Sequence, residues 1–398
     1  MDKTVSSILE HIRGWCGEPP TQPPPVVLNR HCPYCSFKKV CSQQAEGADD
    51  LSLLDRMTPK AILRYQNKGI FTVKQLSFLF KTRRRRRRRA AQPPHFDLEI
   101  QALAIRTGKI YIQTAPEIQR TDIELFLDIE GVPDQRFSYL IGLLTRDHEA
   151  ITHHSFWADT MEEEESIWRM FVEKAKEYPD APIYHYGSYE VRVIEFLANR
   201  FGPDVTCISK RLVNLNSQVY GKVYFPVRSN SLKVLGKFLG ASWTEPDASG
   251  LQSLVWRYRW EVAKKAAYKQ KLISYNAEDC QASHILTEKL ARLRTDADSE
   301  LNVDYVDQPK QNATSLGSGL HAALDHVLLY ASFDRPKGRI SLRNETDAAK
   351  KKGPGAPKGH RAYQRAVPAG RGTVIRLPLK RTYPKHKEER LQKSGQRC

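Results

Sequence analysis

Four carboxylates and a phenol carry the chemistry of this chain: Asp128 and Glu130 in LFLDIEG, Glu190 in HYGSYE, and Tyr275 with Asp279 in YNAEDC. LFLDIEG is a strand-like apolar run. Alternation sends Asp128 and Glu130 to one face and Leu127 and Ile129 to the other. In LISYNAEDCQASHILTEKL the apolar spacing fits a helix, which makes Tyr275 and Asp279, four apart, neighbours on one face. Crowded carboxylates repel one another, and a cation is the usual relief. Oxygen-only ligation points to Mg²⁺ or Mn²⁺. Two such ions about 3.5–4 Å apart activate a water on one side of a phosphodiester and stabilise the leaving oxygen on the other. The expected ligands are therefore Asp128, Glu130, Glu190 and Asp279, with Asp128 bridging and Tyr275 orienting the water.

The elements that must position them belong to an α/β region from 95 to 300. IELFLDIEG, FSYLIGLLTRD and HEAITHHSFWAD read as three strands of an antiparallel meander, preceded by LEIQALAIRTGKIYIQT, a helix or strand and then a strand that could cover the main sheet. MEEEESIWRMFVEKAKEY is a periodic helix whose acidic start suits the macrodipole, so Glu162 to Glu165 are read as helix-start residues rather than ligands. APIYHYG is a fourth strand that delivers Glu190 to a strand–helix junction, with His185 read as a hydrogen-bonded core histidine. Between the second and third acidic motifs, Tyr220, Tyr224, Phe225, Arg228, Lys233, Trp256 and Arg257 could stack on or neutralise a single strand. The alternative reading of so many aromatics is core packing.

Tyr275-Asn-Ala-Glu-Asp279 resembles the third motif of the DEDD exonucleases of the RNase H-like superfamily, in the subclass marked by Tyr-x-x-x-Asp. The second motif of that group usually reads Asn-Gly-x-Phe-Asp. Here Tyr186-Gly187-Ser188-Tyr189-Glu190 stands in its place, with Glu for Asp one methylene longer. A narrower resemblance runs from about Arg30 to Leu293 and includes RHCPYCSFKKVC, FLDIEGVPD, IYHYGSYE, ASGLQSLVWR and LISYNAEDC. The chain is similar to the RecB-like nuclease family that carries a YprB-type RNase H-like domain. The resemblance implies a nuclease with an RNase H-like mixed sheet flanked by helices, but it does not bring a substrate; the expected activity is a 3′–5′ exonuclease of DEDDy type, with single-stranded DNA or RNA as the expected substrate. It also implies that the N-terminal PD-(D/E)XK domain of the family is missing. The competing expectation is a catalytically weak or inactive nucleic-acid-binding module, transposon-associated.

Charge divides the chain. Of a net +18, residues 335–398 hold 19 Lys/Arg against four Asp/Glu, and Lys81 with Arg83–Arg89 add eight cations, so the rest is net acidic. Both basic appendages suit a polyanion or solvent. Residues 1–50 combine a short amphipathic helix, the Pro-rich EPPTQPPPVV and Cys32-x2-Cys35-x5-Cys41, a metal-ligand spacing short of a fourth ligand. The resemblance implies the last three cysteines of a [4Fe–4S] cluster; Zn²⁺ is the other candidate, and Cys16 a substitute ligand. Residues 51–94 read as a helix-hairpin-helix-like segment with Gly69 at its turn, followed by the Arg-rich linker.

Residues 301–340 are expected to be a helical extension around SLGSGLHAALDHVLLYASF, and 341–398 a disordered basic tail. Parts of that tail resemble the linker of some insertion-sequence transposases, with Tyr383-Pro-Lys-His386 where a cysteine pair would stand. Seven cysteines in so long a chain make no disulfide framework, and no stretch approaches a membrane span. The expected location is a reducing cytoplasm, with no membrane partner.

Overall fold

A computed structural model of the chain describes residues 3–17, 26–29, 31–80, 95–202, 205–246, 248–307, 331–334 and 339–342. Residues 1–310 and 311–398 form two units. The first begins with helix α1 (Lys3–Gly17), a single 3₁₀ turn at Cys32–Tyr34, and α2 (Lys38–Gly47). Two short helices follow, α3 (Pro59–Gln66) and α4 (Val73–Ser77), and Thr72 with Gln75 closes a capping box on α4. Their apolar faces meet α5 (Leu98–Thr107) through Ile62, Tyr65, Leu76 and Ala102. The helices α3 and α4 pack there as core.

Strand β1 (Ile110–Ile112) precedes the meander of β2 (Ile123–Val132), β3 (Phe137–Asp147) and β4 (Ala150–Trp157). Then come α6 (Glu164–Lys176), β5 (Ile183–His185), α7 (Tyr189–Phe201), α8 (Thr206–Ser209), β6 (Leu212–Asn214) and α9 (Leu215–Val219). The unit is completed by β7 (Val223–Tyr224), α10 (Leu232–Phe238), α11 (Gly250–Ala263), α12 (Ala266–Ser299) and β8 (Val303–Tyr305). The main sheet has the order β4-β3-β2-β5-β6, with β2, β3 and β4 antiparallel and β5 and β6 parallel to β2. This is the mixed α/β architecture of an RNase H-like fold. β1 joins β7 and β8 in a separate three-stranded sheet instead of covering the main one.

The alternation in β2 sorts its side chains between two helical layers. Leu125, Leu127 and Ile129 join Trp168 and Phe171 of α6 and Ile194 of α7 in one core cluster. Phe126 joins Leu286 and Leu290 of α12 in another. Asp128 and Glu130 continue the Phe126 face, toward α12. Glu164 stands at the start of α6, as the helix-start reading expects, and has a structural role there. Its side chain is fully buried, accepts from the Ser138 N–H at 2.6 Å and pairs with Arg200 at 2.8 Å, because α6 is laid directly on β3.

In the second unit, β9 (Ala331–Asp334) pairs antiparallel with β10 (Arg339–Leu342). The expected helix through LLYASF thus gives way at its end to the strand Ala331–Asp334. Residues 308–330, Lys81 with Arg83–Arg89, and the tail from 343, with Tyr383, His386 and Cys398, lie outside the described residues. No described helix is long and apolar enough to cross a membrane.

Candidate metal centre

Asp128, Glu130 and Asp279 each bring a carboxylate oxygen into one group whose ligand atoms all lie within 4.8 Å of one another. β2 supplies the first two from its α12 face, and the helical spacing of α12 aims Asp279 at them while keeping Tyr275 one turn earlier. Tyr275 is 8% exposed and its hydroxyl is close enough to Asp279 to influence that carboxylate.

Each carboxylate is held by a donor. The Asn276 amide donates through Nδ2 to Asp128 Oδ2 at 2.7 Å and to the Asp128 carbonyl at 3.0 Å. Ser253 Oγ, on α11, donates to Glu130 Oε2 at 2.8 Å, and the Tyr139 hydroxyl reaches the same oxygen at 3.4 Å. Trp243 Nε1 donates to Asp279 Oδ1 at 2.8 Å. Asn276, Ser253, Trp243 and Tyr139 carried no role in the motif reading. Asn276 lies within YNAEDC and Ser253 within ASGLQSL, so the motifs held them, but only the packed helices show what they touch.

Glu190 arrives from the other side of β2. The chain leaves β5 and turns at Gly187, whose φ of +107° is open to glycine and strained for any other residue. Its N–H is held by Asn214 Oδ1 at 3.1 Å. Glu190 therefore falls in the first turn of α7, where the helix dipole favours a negative charge. It is 5% exposed, and its Oε2 has no hydrogen-bond partner, with His185 Nδ1 at 3.5 Å. Its carboxylate stands outside the group of three yet acts on it electrostatically, helping to raise Asp128 and Glu130.

The crowding shows in the acidities. Burial, then the charges of Asp279, Glu130 and Glu190, push Asp128 well above the carboxylate range, against the pull of Asn276. Burial and Asp279 raise Glu130 to about 8, and burial raises Asp279 to about 6 despite the bond from Trp243 and the pull of the Tyr275 hydroxyl. Keeping Glu130 ionised without a cation thus costs on the order of several kcal/mol. Carboxylate oxygens at this density, with an unpartnered Glu190 oxygen beside them, suit hard divalent cations.

Core packing, the alternative to a stacking platform, holds for four of the residues that could have formed one. Tyr224, Phe225, Trp256 and Arg257 are buried. Arg257, 1% exposed, lies 4.7–5.2 Å from the ring centroids of Phe137, Tyr139, Trp157 and Trp260 and donates to the carbonyls of Ala158 and Asp159. Tyr220 stacks on Phe96, Arg228 pairs with Glu46, and Lys233 donates to the Ala248 carbonyl. Tyr220 and Lys233 are half-buried in these contacts, and Arg228 is exposed in its ion pair.

The cysteines are not gathered in this way. Cys35 is exposed, Cys32 and Cys41 are half-buried, and Cys32 Sγ accepts from the Asn29 N–H at 3.2 Å. Among the described residues they form no ligand group.

With this geometry in place, the comparison with known families is specific about location. Residues 125–291 match the RNase H superfamily. The matched span starts in β2 and ends in α12, so it contains Asp128, Glu130, Glu190, Tyr275 and Asp279. Members of that superfamily typically are hydrolases that act on nucleic acid. Among curated proteins none matches the chain.

Proposed function

We propose that this protein is a metal-dependent nuclease that hydrolyses phosphodiester bonds of single-stranded DNA or RNA from the 3′ end, with a DEDDy-type site. The convergence of Asp128, Glu130 and Asp279 within 4.8 Å, inside the span that matches the RNase H superfamily, carries the reading. Two Mg²⁺ or Mn²⁺ ions held by these residues and Glu190 would supply water activation and charge neutralisation at the scissile phosphate. Asp128 faces both Glu130 and Asp279 and is the residue suited to be shared. Burial, then Asp279, Glu130 and Asp128, push the Tyr275 hydroxyl far up, so it stays protonated and orients the attacking water as a hydrogen-bonding group rather than as a base. Ser253, Trp243 and Asn276 hold the carboxylates in place before substrate arrives.

The ordered stretches from Arg30 to Leu293 support membership of the RecB-like family with a YprB-type domain. In that setting Cys32, Cys35 and Cys41 would be three ligands of an iron–sulfur or zinc site that takes a fourth from elsewhere. The position of Glu190 favours a second reading, a catalytically weak nucleic-acid-binding module, because its carboxylate lies outside the group of three.

End-labelled single-stranded DNA and RNA incubated with Mn²⁺ or Mg²⁺ separate these readings. A ladder shortening from the 3′ end with native protein, lost in Asp128→Asn and strongly slowed in Glu190→Gln, is the expected result. Absence of metal-dependent cleavage with salt-sensitive binding retained would leave the binding module.

A further inference from the structure

Asn276 is completely buried, and its two halves have unequal surroundings. Nδ2 bonds twice to Asp128, to the carbonyl and to Oδ2, whereas Oδ1 is buried with no hydrogen-bond partner. A buried amide oxygen without a donor is unfavourable, and an apolar side chain of the same shape would avoid it. The amide is explained by what Nδ2 does.

Gly142 explains how it fits. In the β2–β3 register Gly142 lies directly opposite Asp128, and a Cβ built there would stand 1.7 Å from Asn276 Oδ1. The amide thus fills the space of the missing side chain. Gly142 is not in a left-handed conformation, so close approach, not backbone freedom, demands glycine here.

We infer that Gly142 and Asn276 form a positioning device for the metal centre: the glycine admits the amide to the sheet, and the amide fixes the carboxylate of Asp128 for a divalent cation. The inference rests on the metal-dependent reading above. A single N–H on Oδ2 fixes the carboxylate rotamer, partly offsets the repulsion from Asp279 and Glu130, and leaves Oδ1 of Asp128 outside this bond. Asn276 acts through Asp128 and is a positioning residue, not a catalytic one. Partners of this kind commonly set metal affinity by 10–100-fold.

The test compares Mn²⁺ binding by calorimetry and metal-free thermal unfolding in native protein, Asn276→Leu, Gly142→Ala, Asn276→Ala and the double variant Gly142→Ala/Asn276→Ala. Asn276→Leu keeps the branched shape but adds bulk and removes the donor, so metal-free unfolding shifts downward while Mn²⁺ binding weakens about 10–100-fold. Gly142→Ala lowers both stability and Mn²⁺ affinity. In the double variant the new Cβ enters the vacated space, so stability returns to that of Asn276→Ala, while Mn²⁺ affinity stays weak. Native Mn²⁺ affinity in Asn276→Leu would overturn the inference, as would a double variant whose loss of stability is the sum of the two single ones. Failure of the native protein to bind Mn²⁺ would remove the metal-dependent reading itself, and the inference with it.

Discussion

Asp128, Glu130 and Asp279 on one side, and Cys32, Cys35 and Cys41 on the other, are both metal-ligand patterns in the sequence, and the fold treats them differently. The carboxylates sit on two long, regular elements, a 10-residue strand and a 34-residue helix, and their oxygens converge. The cysteines sit on a three-residue turn and the start of α2, beside the strongly exposed Tyr34, Phe37 and Val40, and form no ligand group among the described residues. Spacing along a periodic element fixes direction as well as separation. Spacing along a surface turn fixes separation alone, and a metal or partner must supply the rest.

The largest effect is expected where the two regions are substituted in parallel. Asp128→Asn or Asp279→Asn should lower Mn²⁺-dependent cleavage by about 10³-fold or more, some 4 kcal/mol of barrier, with strand binding retained. A triple alanine variant at Cys32, Cys35 and Cys41 should stay within about twofold of native. Equal losses in both would break the contrast between them.

Glu190→Gln should reduce the same rate by about 100-fold, or roughly 3 kcal/mol, through loss of a carboxylate that acts on the cluster from outside it. An unchanged rate would confine the centre to three carboxylates.

The pH dependence tests the carboxylate side of the comparison, because burial and mutual repulsion raise Asp128, Glu130 and Asp279. With folded acidities above their ordinary values, these carboxylates bind protons more tightly in the folded protein. Their contribution to metal-free stability is complete below the ordinary carboxylate range and is lost as pH rises toward 8, where Glu130 ionises. Mn²⁺ must displace those protons, so its affinity should climb between pH 6 and 8 by up to roughly tenfold per pH unit for each proton displaced. A pH-independent affinity, measured by calorimetry, would contradict the raised acidities.

The smallest expected effect concerns nucleic-acid contact. Arg257→Met should lower stability, read from thermal unfolding, by about 3 kcal/mol through loss of a buried cation from its aromatic surroundings and carbonyl partners. It should leave the salt dependence of strand binding unchanged, since Arg257 is not available to a phosphate. A shallower salt slope would restore it to the substrate path.

Much of the centre was legible because it depends on local periodicity. Two-residue alternation placed Asp128 and Glu130 together, four-residue spacing placed Tyr275 beside Asp279, and the meander followed from three apolar runs separated by turns. The partners of the carboxylates were not legible. Asn276 reaches Asp128 across 148 residues, and Ser253 reaches Glu130 across 123. Arg257 stayed open between strand contact and core packing for a related reason: Phe137, Tyr139, Trp157 and Trp260, which surround it, come from two strands and its own helix. Composition alone does not distinguish an aromatic-lined interior from a stacking surface.

The central claim is that the converged carboxylates, charged with a divalent cation, hydrolyse nucleic acid. Its most direct test is the rate of shortening of an end-labelled single strand as Mn²⁺ is titrated, with native protein and Asp279→Asn purified side by side. A rate that rises and saturates with Mn²⁺ in the native protein and vanishes in the variant is the predicted result. Equal rates in the two proteins, or none in either at saturating Mn²⁺, would contradict it.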